Sequence, residues 1–148
     1  MRSRGVVLVT RPAGQAEALC ADLVSRGFTP YEQPLLDLQR LPELSPRCQQ
    51  AIENINSYQH LIFISGNAVR FGMEKILARW PQFPKEIKVY AIGSSTAAIL
   101  REYGIEDVYS TKGTAMTSES LLAIASWQGV QGQNVLIVKG QGGRTALA

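Results

Sequence analysis

The stretch LIFISGNAVRFGMEKILAR, Leu61 to Arg79, decides the fold of this chain. Leu61–Ile64 is an unbroken apolar run, which predicts a short strand buried on both faces rather than one half-exposed to water. Ser65 follows as a residue that caps helices, and a helix is predicted from Asn67 to about Arg79. A doubly buried strand that turns within a few residues into a helix is the repeating unit of a parallel sheet covered by helices.

The same alternation of periods runs outward in both directions. Upstream, Gly5–Thr10 (GVVLVT) predicts a buried strand, and a helix from about Gly14 to Arg26 follows, closed by Gly27 as its C-cap. Phe28–Gln33 is a second short strand. Pro34–Leu41 (PLLDLQRL) is extended and flanked by prolines, either a linker or an edge strand. Ser45-Pro46 pairs an N-cap with proline at the first helical position and opens a helix to about Asn56. Downstream lie strand Lys88–Ile92, a helix from Ser95 to Tyr103 ending at Gly104, and a short strand near Asp107–Tyr109. A helix capped by Thr117 or Ser118 then runs to about Trp127, before strand Asn134–Val138. The expected architecture is doubly wound α/β with parallel sheets. Ligands of such sheets bind outside the carboxyl ends of the strands, so chemistry is sought in the βα loops. The chain also echoes itself: VLVTRPAGQAEAL (Val7–Leu19) and VLIVKGQGGRTAL (Val135–Leu147) share a strand, a basic residue, a glycine-containing loop and a helix start.

Composition excludes several classes. The 148 residues are 45% hydrophobic and 18% charged, as in an ordinary soluble globular protein. A net charge of +3 and pI near 9.0 fall short of a dedicated nucleic-acid binder. The apolar run Val6–Val9 is too short for a signal peptide, and no run approaches the roughly 20 residues of a membrane span. Of the two cysteines, Cys20 falls in the periodic set Ala16, Leu19, Cys20, Leu23, Val24, which predicts a core thiol on a helix. His60 is the sole histidine. It lies just before LIFI, which predicts a structural role at a strand edge. Neither residue type offers a metal or catalytic set, so a cytoplasmic protein without disulfides or metal is expected.

The βα loops are Thr10–Ala16, Ser65–Met73, Gly93–Arg101, Ser110–Ser118 and Lys139–Ala148. They hold Arg11, Arg70, Arg101, Lys112, Lys139 and Arg144, and no Asp or Glu. With 12 acidic residues in the chain, about three or four would fall there by proportion. Helix N-termini add free N–H groups and partial positive charge. Thr10, Ser65, Asn67, Ser94, Ser95, Thr96, Thr117 and Ser118 add hydroxyls and an amide. Such residues serve first as N-caps, but a cap leaves neighbouring N–H groups available. An anionic ligand suits this edge and a cationic one does not. Nucleotide motifs fail: no Gly-Lys-Ser/Thr completes a P-loop, and Gly140-Gln141-Gly142-Gly143-Arg144-Thr145 lacks the last glycine of a dinucleotide fingerprint. LIFIS ends on Ser65 where a phosphoacceptor would need Asp, and one histidine placed before a strand supports no Ser–His–Asp set.

Six segments carry a family resemblance: VLVTRPAGQAEAL at the start, PLLDL, FISGNAV (Phe63–Val69), AIGSSTAAILREYG (Ala91–Gly104), GTAMTSESLL (Gly113–Leu122) and VLIVKGQGGR (Val135–Arg144). In this order and spacing they resemble the uroporphyrinogen-III synthase, or HemD-like, family. Gly66 after Ser65 is a departure from the family pattern, in a loop that the family varies freely. The resemblance implies two similar α/β domains, with the chain passing from the first to the second and then returning. Residues 1–34 are then the opening βαβ of the first domain. Residues 35–148 are a nearly complete second domain, truncated at its last helix, and the returning segment is missing.

The resemblance further implies a cofactor-free lyase. Its substrate would be hydroxymethylbilane, an anionic linear tetrapyrrole. The bilane loses its terminal hydroxyl as water, is attacked at the substituted carbon of its last ring, and recloses through a spiro intermediate with ring D inverted. Backbone N–H groups and side chains at Ser65, Gly66, Asn67, Gly93, Ser94, Ser95, Thr96, Lys139 and Gly140, with Arg11 and Lys139 as charges, would hold its carboxylates. The family's helper tyrosine has no counterpart within these residues, so no catalytic residue is assigned and this portion alone is expected to be inactive. The full-length protein is expected to be a monomer without nucleic-acid or membrane partners. Two other readings of the loops remain open, a non-catalytic anion-binding module and a flavodoxin-like nucleotide- or flavin-binding domain.

Overall fold

A computed structural model describes residues 4–111, 117–124, 127 and 129–141. The chain divides into two compact units, Met1–Pro42 and Glu43–Ala148. In the first, β1 (Val6–Val9), α1 (Glu17–Ser25) and β2 (Thr29–Glu32) form one βαβ crossover. The strands pair in parallel from Val6↔Thr29 to Val9↔Glu32. The amides of Thr29 and Gln33 donate to Gly5 O and Val9 O, each at 2.9 Å. Pro30, of opposite parity, therefore turns its N–H-less nitrogen away from the ladder, as an edge strand permits.

Two four-residue strands are a narrow platform, and this corrects the expectation for Cys20. No residue of α1 is buried, and Val24 remains 59% exposed. Cys20 is half-buried rather than a core thiol. Its thiol pKa is raised, by loss of solvent contact and then by the neighbouring Glu32, which disfavours the reactive thiolate. Pro34–Leu41 forms no strand and is exposed throughout, which settles it as a linker at the boundary between units.

The second unit contains α2 (Pro46–Glu53), a 3₁₀ turn (Ile55–Ser57), β3 (His60–Phe63), α3 (Gly66–Arg79), β4 (Lys88–Ala91), α4 (Ser94–Glu102), β5 (Val108–Ser110), α5 (Ser118–Leu122) and β6 (Val135–Val138). Ser45 caps α2 through the Cys48 amide, with Pro46 at the first helical position as predicted. The sheet order is β5-β4-β3-β6, all parallel. The chain winds outward from β3 to β5, then returns to place β6 on the other side of β3.

Every residue of β3 is buried. Leu61 and Phe63 join Val69, Met73, Ile76, Val89, Ala91 and Leu100 in one core layer beneath α3 and α4. Ile62 joins Tyr90 and Leu121 in a second layer beneath α5. The period of two thus divides one strand between two cores. α3 lies close to the sheet because Gly72 has no side chain: an added Cβ would stand 2.6 Å from Val138 Cγ1 and 3.3 Å from Phe63 Cε1.

His60 is the first residue of β3, at the end of that strand as expected, and β3 is a central strand of the sheet. The ring is 1% exposed, tilted against Tyr90 and Trp127 at centroid separations of 5.6 and 5.1 Å. Nδ1 lies 3.2 Å from the Tyr90 hydroxyl and Nε2 meets Gln133 Oε1. An amide oxygen can only accept, so the ring proton sits on Nε2 and Tyr90 donates to Nδ1. The expected structural role holds, but as a buried polar bridge at the end of β3 remote from the βα loops.

Two stability predictions follow from this packing. Gly72→Ala gains about 1 kcal/mol in helix propensity but overpacks the α3–sheet contact at a cost of about 1–3 kcal/mol. A net loss in denaturant midpoint is expected, and a gain would contradict the close approach. His60→Ala should cost about 2–4 kcal/mol, because it opens a cavity in the interior and removes the buried polar bridge between Tyr90 and Gln133. A midpoint within about 0.5 kcal/mol of wild type would show that the bridge is dispensable.

Candidate functional site

The winding reverses at β3: β4 and β6 flank it and their connections leave in opposite directions. This strand order, the third-second-first-fourth pattern of a doubly wound half, places the topological switch point between β3 and β6. Three βα loops meet there. Ser65–Asn67 leaves β3, and Lys139–Gly140 leaves β6, whose Val138 pairs with Phe63. Gly93–Thr96 leaves β4, whose Ala91 pairs with Phe63 on the other side. The Ile92 amide donates to Phe63 O at 3.1 Å, which holds the β4 exit against β3.

The loops present their donors differently. Ser65 caps α3 and accepts from the Ala68 amide at 3.1 Å, so its side chain serves the helix first. Gly66 occupies the first turn of α3, where a Cβ would stand 2.6 Å from Ile99 Cδ1. It is a packing glycine that lets α4 approach, and its amide still has no acceptor within the helix. Asn67 is half-buried beside it. Ser94 and Ser95 are exposed in the first turn of α4, and Thr96 is buried. The cap position of α4 is Gly93, which has no side chain to cap with. No acceptor for the amides of Ser94, Ser95 and Thr96 is present among the described residues.

Gly93 itself requires a correction. Its amide was expected to face a ligand, but it is buried and donates to Thr111 Oγ1 at 3.1 Å. It therefore shapes the loop rather than offering a donor.

Charge at this edge is basic. Lys139, Gly140 and Arg70 are exposed, and neither Lys139 nor Arg70 has a carboxylate partner among the described residues. Arg70 was counted among the loop cations but left out of the expected binding set. A Cβ at Gly66 would lie 3.4 Å from Arg70 Nη1, so the guanidinium reaches back over the first turn of α3. The signal was available: Arg70 is four residues after Gly66, on the same helix face. Thr111 had no such signal, because its role depends on the β4–β5 register. Arg11 is exposed in the loop after β1, the corresponding place in the first unit. Lys112 and Arg144 lie outside the described residues, as does most of the Gln141–Ala148 stretch.

Such an edge binds anions through amides and cations. It contains no cluster of three His, Cys, Asp or Glu residues able to hold a metal among the described residues. No helix of the described residues is long and apolar enough to cross a membrane.

Comparison with known proteins gives this edge a context. The family model described as uroporphyrinogen-III synthase HemD matches residues 17–148. The uroporphyrinogen-III synthase of Proteus mirabilis is 30% identical over 143 residues, which cover 96% of this chain and 70% of that protein. That of Salmonella typhimurium is 30% identical over 145 residues, covering 95% of this chain and 56% of the relative. The crystal structure of uroporphyrinogen-III synthetase from Helicobacter pylori 26695 superposes with a TM-score of 0.52 at 21% identity, over 82% of this chain and 53% of that one. At that identity the superposition speaks for the shared fold. The chain thus spans between about half and 70% of the length of these proteins. The order of its loops, its parallel α/β fold and these matches agree: the chain belongs to the uroporphyrinogen-III synthase family.

Proposed function

We propose that the carboxyl edge of the four-stranded sheet binds the acetate and propionate groups of hydroxymethylbilane, within a uroporphyrinogen-III synthase. The complete enzyme cyclises this linear tetrapyrrole to uroporphyrinogen III with loss of water and inversion of ring D. The observation that carries the reading is the meeting of three acid-free loops at the β3/β6 switch point. Neither the non-catalytic module nor the flavodoxin-like alternative is favoured, because the matches are to uroporphyrinogen-III synthases.

In this reading the amides of Ser94, Ser95 and Thr96 donate to one carboxylate at the α4 N-terminus, where the helix dipole assists. Gly66 and Asn67 offer a second point with Arg70 beside them, and Lys139 with Gly140 a third. Ser65 adds a hydroxyl. Arg11 supplies the same chemistry on the first unit. Carboxylates distributed around the bilane would then fix its curvature and bring its terminal carbon near the ring it must attack. Gathering reacting atoms in this way accelerates a cyclisation without a strong side-chain base, and fixed amides stabilise charge at little reorganisation cost. These loops carry no Asp, Glu or His in sequence, which is consistent with catalysis by positioning. Residues 1–34 would belong to one domain of the whole enzyme and residues 35–148 to the other. A monomeric, cytoplasmic enzyme without nucleic-acid partners completes the reading.

Two measurements test it. The chain should bind uroporphyrin, the stable octacarboxylate analogue, with affinity that falls as salt rises. Arg70→Ala, Lys139→Ala and Arg11→Ala should each weaken binding roughly 2- to 5-fold at low salt, the range of exposed charge pairs. Equal affinity in all three would remove the charge component. Hydroxymethylbilane supplied to this chain, together with a polypeptide completing it to its relatives' length, should yield the type III isomer. Exclusive type I product would overturn the enzyme reading.

A further inference from the structure

We propose that Thr111 is a positioning residue of this site, acting through Gly93 on the first turn of α4; the inference rests on the reading of that turn as a carboxylate site. β4 and β5 pair from Val89↔Val108 only as far as Ala91↔Ser110. Past that rung the β4 chain must turn sharply, because α4 begins at Ser94. The turn is made at Gly93, with φ 88° and ψ 152°, a conformation that residues with a Cβ rarely adopt. Thr111 stands one residue beyond the last paired position of β5 and is 5% exposed. Its hydroxyl oxygen accepts the Gly93 amide at 3.1 Å. A side chain thus supplies the next acceptor at the point where the backbone ladder has stopped.

The contrast with α3 gives this contact its meaning. There the cap residue's own hydroxyl holds the turn and occupies an amide of it, that of Ala68. At α4 the restraint comes from a neighbouring strand and occupies the amide before the helix. The three amides of Ser94, Ser95 and Thr96 are left unused among the described residues. A turn built this way is held in place without taking up those three donors. Without the Thr111 hydroxyl, the buried Gly93 amide would lose its acceptor. The loop would have to move to find water, and the following three amides would move with it.

The test compares Thr111→Val, which keeps the shape and removes the acceptor, with Thr111→Ser, which keeps the acceptor. Uroporphyrin binding is titrated by fluorescence well below each variant's melting temperature, and exchange of the Gly93 amide is followed by NMR. Thr111→Val should weaken binding roughly 3- to 10-fold, the worth of one net hydrogen bond, and accelerate exchange at Gly93. Thr111→Ser should restore both. Rescue by serine in a fully folded protein separates positioning from general stability. If wild type binds uroporphyrin and Thr111→Val binds equally well, the positioning role is overturned while the site stands. Absence of binding by wild type overturns the carboxylate-site reading and this inference with it.

Discussion

Strand β3 is the constraint on which the second unit depends. It is bonded to β4 along one side and to β6 along the other, and helices cover both its faces. Four residues with no exposed surface therefore organise two core layers. No polar alternation is tolerated in such a strand, since either parity faces an apolar layer. The exception, His60, is accommodated at the strand's first position, where Tyr90 and Gln133 satisfy both ring nitrogens. Burying the same polar group without partners would cost several kcal/mol.

The same strand also fixes where a ligand can bind. Chain winding reverses at β3, so connections diverge from its carboxyl end, the place where sheets of this kind bind ligands. Close packing then determines what that edge presents. Gly66 admits Ile99 of α4 against the first turn of α3, and Gly72 admits Val138 of β6 beneath the second. Small residues at these contacts bring helix N-termini and strand ends together, which concentrates amide donors at one edge. Arg70 and Lys139 add charge without neutralising partners among the described residues.

The first unit shows the opposite situation. Its single helix lies on two short parallel strands, and Val6, Leu8 and Tyr31 remain 73, 58 and 61% exposed. The local elements form as expected, but apolar periodicity did not translate into burial for Cys20, Leu19 or Val24. Periodicity states which side of a helix prefers an apolar neighbour, whereas burial requires a surface wide enough to supply one. The second member of the sequence echo, Val135–Leu147, runs past Gln141 and so lies partly outside the described residues.

What the sequence by itself determined is local. The order of strands and helices, the cap at Ser45 with Pro46 behind it and the absence of acids from the βα loops could all be read directly, while Pro34–Leu41 stayed open between linker and edge strand and the α5 cap between Thr117 and Ser118. Each depends on residues within a few positions of one another. The tertiary structure alone decided the strand order, and with it which loops meet at the switch point. It turned Gly93 from a ligand donor into a restrained turn, because its acceptor Thr111 lies 18 residues away. It likewise buried His60 at the end of β3, where Gln133 reaches it across 73 residues. Hydrogen bonds between segments so distant depend on register and crossover, and no local pattern of residue types encodes either.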